Sequence, residues 1–232
     1  MRKQETTPNK KKEETKAKVR KVSSGPIRDK SRTMKKMIAA VGKVLQKNGY
    51  PALTAPNIAK VAGVDKKLVW AYFGGVDNLV EEYINQKDFF KSKANNNVEH
   101  LLTHPDKLTQ HDINELLQSQ FDTLLKDRAL QRIIHWEIGE YNEILRKIAD
   151  SREDLGELLF SKTIPFFEHS SVDIRARLAL VISGIYYLTL HAKNNGSKFC
   201  GIDINTEEGK ERIAQAIQEL IFDAYEKASK EV

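Results

Sequence analysis

The sequence predicts an all-α fold, and three observations support that prediction. Apolar residues recur at helical intervals from residue 31 onward, and no segment alternates apolar and polar residues long enough to form a strand. The chain has only 6 prolines and 12 glycines in 232 residues, which is few for an all-β protein of this size. Turn signals such as Asn48-Gly49 and Gly74-Gly75 fall where the helical periods stop.

Positive charge is concentrated at the start of the chain. Residues 1–36 contain 14 Lys and Arg but only 4 Asp and Glu, a net charge of +10, whereas the remainder has a net charge of −4. Residues 1–25 have almost no apolar side chains to bury, so we expect a disordered basic tail. The asymmetry indicates a polyanionic partner at this end. The alternative is a solvated tail that only keeps the chain soluble.

Cysteine content and hydropathy bear on the compartment. Cys200 is the one cysteine, so no disulfide can form within the chain, and we expect it to be buried as a small apolar residue. Residues 1–30 lack the apolar run of a secretory signal, and no apolar stretch is long enough to span a membrane. The sequence therefore predicts a soluble, cytoplasmic protein without membrane association.

Residues 26–75 have the pattern of a three-helix, helix-turn-helix domain. A first amphipathic helix begins near Ser31 and ends at Asn48-Gly49. Thr54 is the predicted N-cap of a short second helix, which Gly63 ends. Asp65 caps a third helix, Lys66 to about Phe73, and a connecting helix is predicted over 76–95. Two short helices around a glycine turn, after a longer helix, are typical of DNA-binding modules.

The outer face of the third helix has a composition suited to DNA. Lysine ammonium groups at the start of a helix can bond guanine acceptors or phosphates. A small residue allows the helix to approach the DNA closely, and the Trp or Tyr side chain can bond phosphates. The second helix adds free backbone N–H groups at its N-terminus. The alternative is that the rings complete a small core and the lysines only solubilise the domain. The candidate contact residues are Thr54, Lys66, Lys67, Trp70, Ala71 and Tyr72.

The stretch "ALTAPNIAKVAGVDKKLVWAYFGGVDNL" (residues 52–79) resembles the DNA-binding domain of the tetracycline-repressor (TetR/AcrR) family. The resemblance covers residues 31–80 well, and implies a homodimeric transcriptional regulator, a repressor, with a palindromic operator. It also implies a C-terminal domain whose small-molecule effector releases DNA. It gives Lys66, Lys67, Trp70 and Ala71 contacts with bases or backbone, and Thr54 and Tyr72 contacts with phosphates.

Three positions depart from the family pattern. Lys67 replaces a common Gly or Pro, Leu68 replaces a hydroxyl residue, and Val76 replaces a lysine that usually binds phosphate. Two phosphate contacts are therefore missing. We expect basic residues before and within the first helix to replace them: Arg28, Lys30, Arg32, Lys35 and Lys36.

Residues 96–232 are predicted to form a larger helical domain for effector binding and dimerisation. The helix predicted over 172–193 is apolar or small almost all round between Ala176 and Ala192, which indicates burial on every side. With the last helix, from Thr206, it can form half of a four-helix bundle with a second subunit. The alternative is a central helix of a monomer.

Candidate effector contacts centre on His135-Trp136-Glu137, with the ring as a wall and the polar groups as anchors. Trp136 as an ordinary core residue is an equally open interpretation. Weaker candidates of the same kind are Phe121, Tyr141, Tyr187 and His191.

No motif indicates an enzyme. The chain has no G-x-S-x-G, P-loop or G-x-G-x-x-G sequence, and we expect neither catalysis nor a cofactor. His100 and His104 have a metal-ligand spacing, and His111 follows, but Pro105 ends any helix there and no ligand set is complete, so no metal is expected. A helical adaptor that binds only protein would not need the basic outer face of the third helix.

Overall fold

The computed structural model describes residues 26–87, 100–103, 107–196 and 198–231. The predicted tail, residues 1–25, and the last part of the predicted connecting helix lie outside these ranges. Within them the chain is helical and has no strand, as predicted, with one isolated bridge between Phe199 and Ile202. The elements are α1 (Pro26–Asn48), η1 (Tyr50–Ala52), α2 (Ala55–Ala62), α3 (Lys67–Phe73), α4 (Val76–Lys87), α5 (Gln110–Lys126), α6 (Arg128–Gly139), α7 (Glu143–Thr163), η2 (Ile164–Phe166), α8 (Ile174–Asn194) and α9 (Glu207–Glu231).

The helix-turn-helix elements form where the turn chemistry places them. Thr54 has the extended backbone of an N-cap, and Pro56 is tolerated in the first turn of α2. Gly63 ends α2 in the left-handed conformation, at φ 68°. The Asp65 carboxylate accepts a hydrogen bond from the Lys67 backbone N–H at 2.8 Å, which stabilises the start of α3.

The predicted start of the first helix is wrong, and side-chain caps determine where several later helices begin. α1 begins at Pro26 rather than near Ser31. Thr109 caps α5 in a reciprocal capping box, whose second member is Asp112, the third residue of the helix. Asp173 caps α8. The apolar period that runs through 130–148 is interrupted by an extended segment, after which Asn142 caps α7.

The described helices bury two apolar clusters. One is built by α1 to α4 and includes Met37, Leu45, Val69 and Ile84. The same cluster takes in Ile133, Trp136 and Leu145 from α6 and α7, so the helix-turn-helix segment is packed directly against the following helices. The other cluster lies among α5, α8 and α9.

The burial prediction for Cys200 is wrong, and the burial predicted for α8, which includes burial by a second subunit, is not complete in the single chain. α8 is not buried on all sides, because Leu180 is 74% exposed and Tyr187 is 53% exposed. Cys200 is exposed rather than buried, in a turn where its φ is 51°. None of the described helices combines the length and the apolar character needed to cross a membrane.

Candidate functional site

The candidate DNA-binding surface is the outer side of α3. Val69 is fully buried beneath it and anchors the helix, while Leu68, Tyr72 and Phe73 are half-buried. The opposite side presents Lys66, Lys67, Trp70 and Ala71 to solvent. Trp70 is 54% exposed, so its ring does not complete the core. Because a ring of this size is usually buried, its exposure beside two lysines favours a binding surface.

The N-terminus of α2, the helix that precedes α3 in the chain, is the second part of the candidate site. Thr54 is exposed, and its side chain makes no capping hydrogen bond, so its hydroxyl is not committed to the helix. The first turn of a helix has N–H groups without helical partners, and these attract anions.

One basic residue of α1 contacts the C-terminal end of α3, and others continue along α1. The Lys30 ammonium lies 5.3 Å from the centroid of the Tyr72 ring, a cation–π contact that joins the two helices. Farther along α1, Arg32, Lys35 and Lys36 are exposed and line a shallow groove of about 540 Å³ with Ser31 and Ala39. The side chain of Arg28 lies outside the described part of the chain. Sequence reasoning did not find the Lys30–Tyr72 pair, because its members are 42 positions apart.

The predicted effector contacts fall in separate places. Phe121 is buried among α5, α8 and α9. His135 and Tyr141 are exposed. The Glu137 carboxylate forms an ion pair with Arg152, with an N–O distance of 2.6 Å. Of the seven candidates, Tyr187 and His191 are in mutual contact, with ring centroids 5.8 Å apart.

Trp136, the remaining candidate, is an inter-helix core residue. It is 7% exposed, and its ring stacks on that of Tyr50, which sequence reasoning did not single out. The Tyr50 hydroxyl donates a hydrogen bond to the Glu140 carboxylate, and this bond raises the pKa of Tyr50 above its usual value. The sequence shows Tyr50 only as a tyrosine in a turn next to Pro51, and its ring partner, Trp136, is 86 positions away.

An apolar groove runs between α8 and α9. Its volume is about 370 Å³, and Leu180, Leu188, Ile213 and Leu220 are among its lining residues, with Arg177 the one charged member. Leu180 and Leu220 are more than half exposed, although both are leucines in the middle of helices. A contiguous apolar face of this kind is typical of an interaction surface.

The described residues contain no group of three His, Cys, Asp or Glu side chains able to hold a metal ion. His104, one of the three histidines considered above, lies outside those residues.

Comparisons with known proteins agree with this geometry. Residues 38–83 match the family model of bacterial regulatory proteins of the tetR family, whereas no curated protein matches the chain. Among solved structures, FadR from Bacillus subtilis in complex with stearoyl-CoA is 18% identical, with a TM-score of 0.59 over 82% of this chain and 98% of that chain. NalD, the secondary repressor of the MexAB-OprM multidrug efflux pump in Pseudomonas aeruginosa, is 17% identical, with a TM-score of 0.59 over 84% and 96%.

FadR from Bacillus halodurans is 17% identical and has a TM-score of 0.56, over 86% of this chain and 96% of that chain. At these identities the similarity establishes a shared fold along most of the chain. The family match spans the segment from Ile38 in α1 to Tyr83 in α4, which contains the whole helix-turn-helix. The chain is therefore similar to the tetR family of bacterial regulatory proteins over its helix-turn-helix segment, and it shares the fold of these solved structures along most of its length.

Proposed function

We propose that the protein is a homodimeric repressor of transcription that binds a palindromic operator and releases it when a small-molecule effector binds the C-terminal domain. The observation that carries the proposal is the outer face of α3, where two lysines, a small residue and a half-exposed tryptophan stand side by side. A helix of this diameter fits the major groove of B-DNA.

Each exposed residue of this face has a distinct role in the proposal. Lys66 and Lys67, at the start of α3, reach base edges or phosphates in the groove. Ala71 permits close approach, and its methyl group can touch a thymine methyl. Trp70 and Tyr72 bond phosphates, and Thr54 does the same from the N-terminus of α2.

The basic face of α1 supplies the phosphate contacts that Leu68 and Val76 do not make. Lys30 is held against Tyr72, so both residues would approach the same stretch of DNA backbone. Arg32, Lys35 and Lys36 extend that positive surface along α1. Each lysine or arginine that neutralises a phosphate releases counterions and makes the affinity more dependent on salt.

The groove between α8 and α9 is the proposed dimer interface. Two copies related by a twofold axis would place these helices in a four-helix bundle and cover the exposed leucines. The dimer would then present two copies of α3 to successive major grooves, which is why a palindrome is expected.

The effector site is proposed among α5, α6 and α8. Phe121 is the best placed of the candidate contacts, because it is buried beside Gln120, whose amide donates to the Tyr186 hydroxyl at 3.1 Å. The stearoyl-CoA in the Bacillus subtilis FadR structure supports a ligand with a large apolar part. His135 and Tyr141 are exposed and are less suited to enclose such a ligand.

The test is selection of bound DNA from a random pool, followed by footprinting of the wild type and of Lys67→Ala. We expect a palindrome, and relaxed preference at one base position of each half-site in the variant if Lys67 reads a base. A uniform loss across sequences would assign Lys67 to a phosphate. If the protein binds DNA at moderate salt no better than a protein without a basic surface does, that result would contradict DNA binding and favour a helical adaptor.

A further inference from the structure

Tyr50 joins the helix-turn-helix segment to α6 through two contacts. Its ring lies parallel to that of Trp136, with centroids 5.2 Å apart and an interplanar angle of 3°. Its hydroxyl donates a hydrogen bond to Glu140, the residue that follows the last residue of α6. Because one contact holds the ring and the other holds the hydroxyl, they fix both the position of the ring and the direction in which it points.

On its other side, Tyr50 is tied to the start of α2. It is the first residue of η1, whose last residue, Ala52, accepts hydrogen bonds from the Thr54 backbone N–H at 2.8 Å and the Asn57 side chain at 3.0 Å. The position of Tyr50 therefore determines where the N-terminus of α2 lies.

The two partners of Tyr50 differ in how firmly they are held. Trp136 is buried in the same apolar cluster as Met37 and Val69, so it is a fixed surface for the stack. Glu140 is exposed at the end of α6. The hydrogen bond can therefore be removed at the protein surface without opening the core.

We propose that Tyr50 is a positioning residue for DNA binding: its contacts with Trp136 and Glu140 hold the N-terminus of α2 where an operator phosphate is bound. The proposal rests on the proposed function. α6, through Trp136 and Glu140, is then the element of the C-terminal part that determines the position of α2.

The expected effect follows from preorganisation. Without the hydrogen bond, η1 and the first turn of α2 must be ordered when DNA binds, and ordering a few groups weakens affinity by roughly two- to tenfold. Tyr50→Phe keeps the stacked ring and changes no charge, so it isolates the hydroxyl.

The experiment measures the affinity of Tyr50→Phe, Glu140→Ala and the double variant for the operator recovered from the random pool. Each single variant is expected to bind about two- to tenfold more weakly, and the double variant no more weakly than either, because both changes remove the same bond. Glu143→Ala is the matched control, since it removes an exposed carboxylate three positions after Glu140.

A spectroscopic reading tests the contact itself. The chain has two tryptophans, so in a Trp70→Phe background Trp136 is the sole reporter. We expect its emission to change in Tyr50→Leu, which loses the stack, and to change little in Tyr50→Phe.

Three results would overturn the proposal: unchanged affinity of Tyr50→Phe, whether or not its melting temperature is lowered, tighter binding, or additive losses in the double variant. If the wild type binds the operator and the variants match it, this proposal alone fails. If the wild type binds no DNA at all, the proposed function fails and this inference falls with it.

Discussion

Gly42 of α1 lies directly against the Tyr83 ring of α4, and a Cβ at residue 42 would stand 2.7 Å from the Tyr83 hydroxyl oxygen. Tyr83 is buried, so its ring has little room to move away. α1 and α4 therefore approach each other at a position that only glycine accommodates.

Gly42→Ala is therefore expected to destabilise the protein. Overpacking of a filled core typically costs about 1–3 kcal/mol, which exceeds the ~1 kcal/mol that alanine gains over glycine within a helix. Gly156 is the control: it also lies within a helix, but a Cβ there meets nothing within 4 Å, so Gly156→Ala should stabilise. Urea unfolding of both variants measures the difference. Equal effects at the two positions would contradict the close approach.

Burial also gives Tyr83 a role in alkaline stability. Desolvation, with a smaller contribution from Asp127, raises the pKa of Tyr83 from 10.0 to about 12. The pKa of Tyr83 is higher in the folded protein than in the unfolded chain. The neutral phenol therefore stabilises the fold fully below pH 10, and this contribution is lost as the pH rises through 12. Between these values the unfolded chain releases the proton first.

The prediction is that Tyr83→Phe resists alkaline unfolding better than the wild type. The difference in free energy of unfolding between the two proteins should be constant below pH 9 and should shift in favour of the variant from pH 10 upward. Denaturant unfolding at a series of pH values checks this, with Tyr141→Phe as an exposed-tyrosine control. Parallel pH curves for wild type and Tyr83→Phe would count against it.

The helix-turn-helix was predictable because its signals are local. Thr54, Gly63 and Asp65 determine where α2 and α3 begin and end, and the period of α3 alone separates buried Val69 from exposed Lys67. A side chain that faces away from its own domain can be identified from one helix.

The rest depends on contacts between distant segments. Tyr50 and Glu140 are 90 residues apart, and nothing in either neighbourhood indicates the other. His135, Trp136 and Glu137 are neighbours in sequence, but they point in three directions around α6: into solvent, into the core and toward Arg152. Helical periodicity places such neighbours about 100° apart, so they cannot line one wall.

The proposed dimer interface is tested by a charge in the groove between α8 and α9. Leu220 lines that groove and is 53% exposed, and Leu158 on α7 is also 53% exposed but is not among the groove residues. Leu220→Glu would bury an unpaired carboxylate in each subunit, so we expect a shift from dimer to monomer, whereas Leu158→Glu should remain dimeric. Analytical ultracentrifugation measures both. A Leu220→Glu variant that dimerises as tightly as the wild type would move the interface elsewhere.

The contact between Lys30 and Tyr72 leads to a prediction about salt. If Lys30 neutralises a phosphate, Lys30→Ala should weaken operator binding and reduce the slope of log affinity against log salt by about 1. Lys43 is the matched control, because it is an exposed lysine of the same helix about 20 Å farther along its axis. Lys43→Ala removes the same charge from the protein and should leave the slope unchanged.

The comparison separates a phosphate contact from a general effect of net charge. DNA-binding titrations of both variants at about five salt concentrations, from roughly 50 to roughly 300 mM, give the two slopes. Equal slopes for the two variants would mean that Lys30 acts only through the long-range field of the protein, and its position over the Tyr72 ring would then have no bearing on DNA binding. A reduced slope for Lys30→Ala alone would assign α1 a direct part in holding the operator, in place of the phosphate contacts that Leu68 and Val76 do not make.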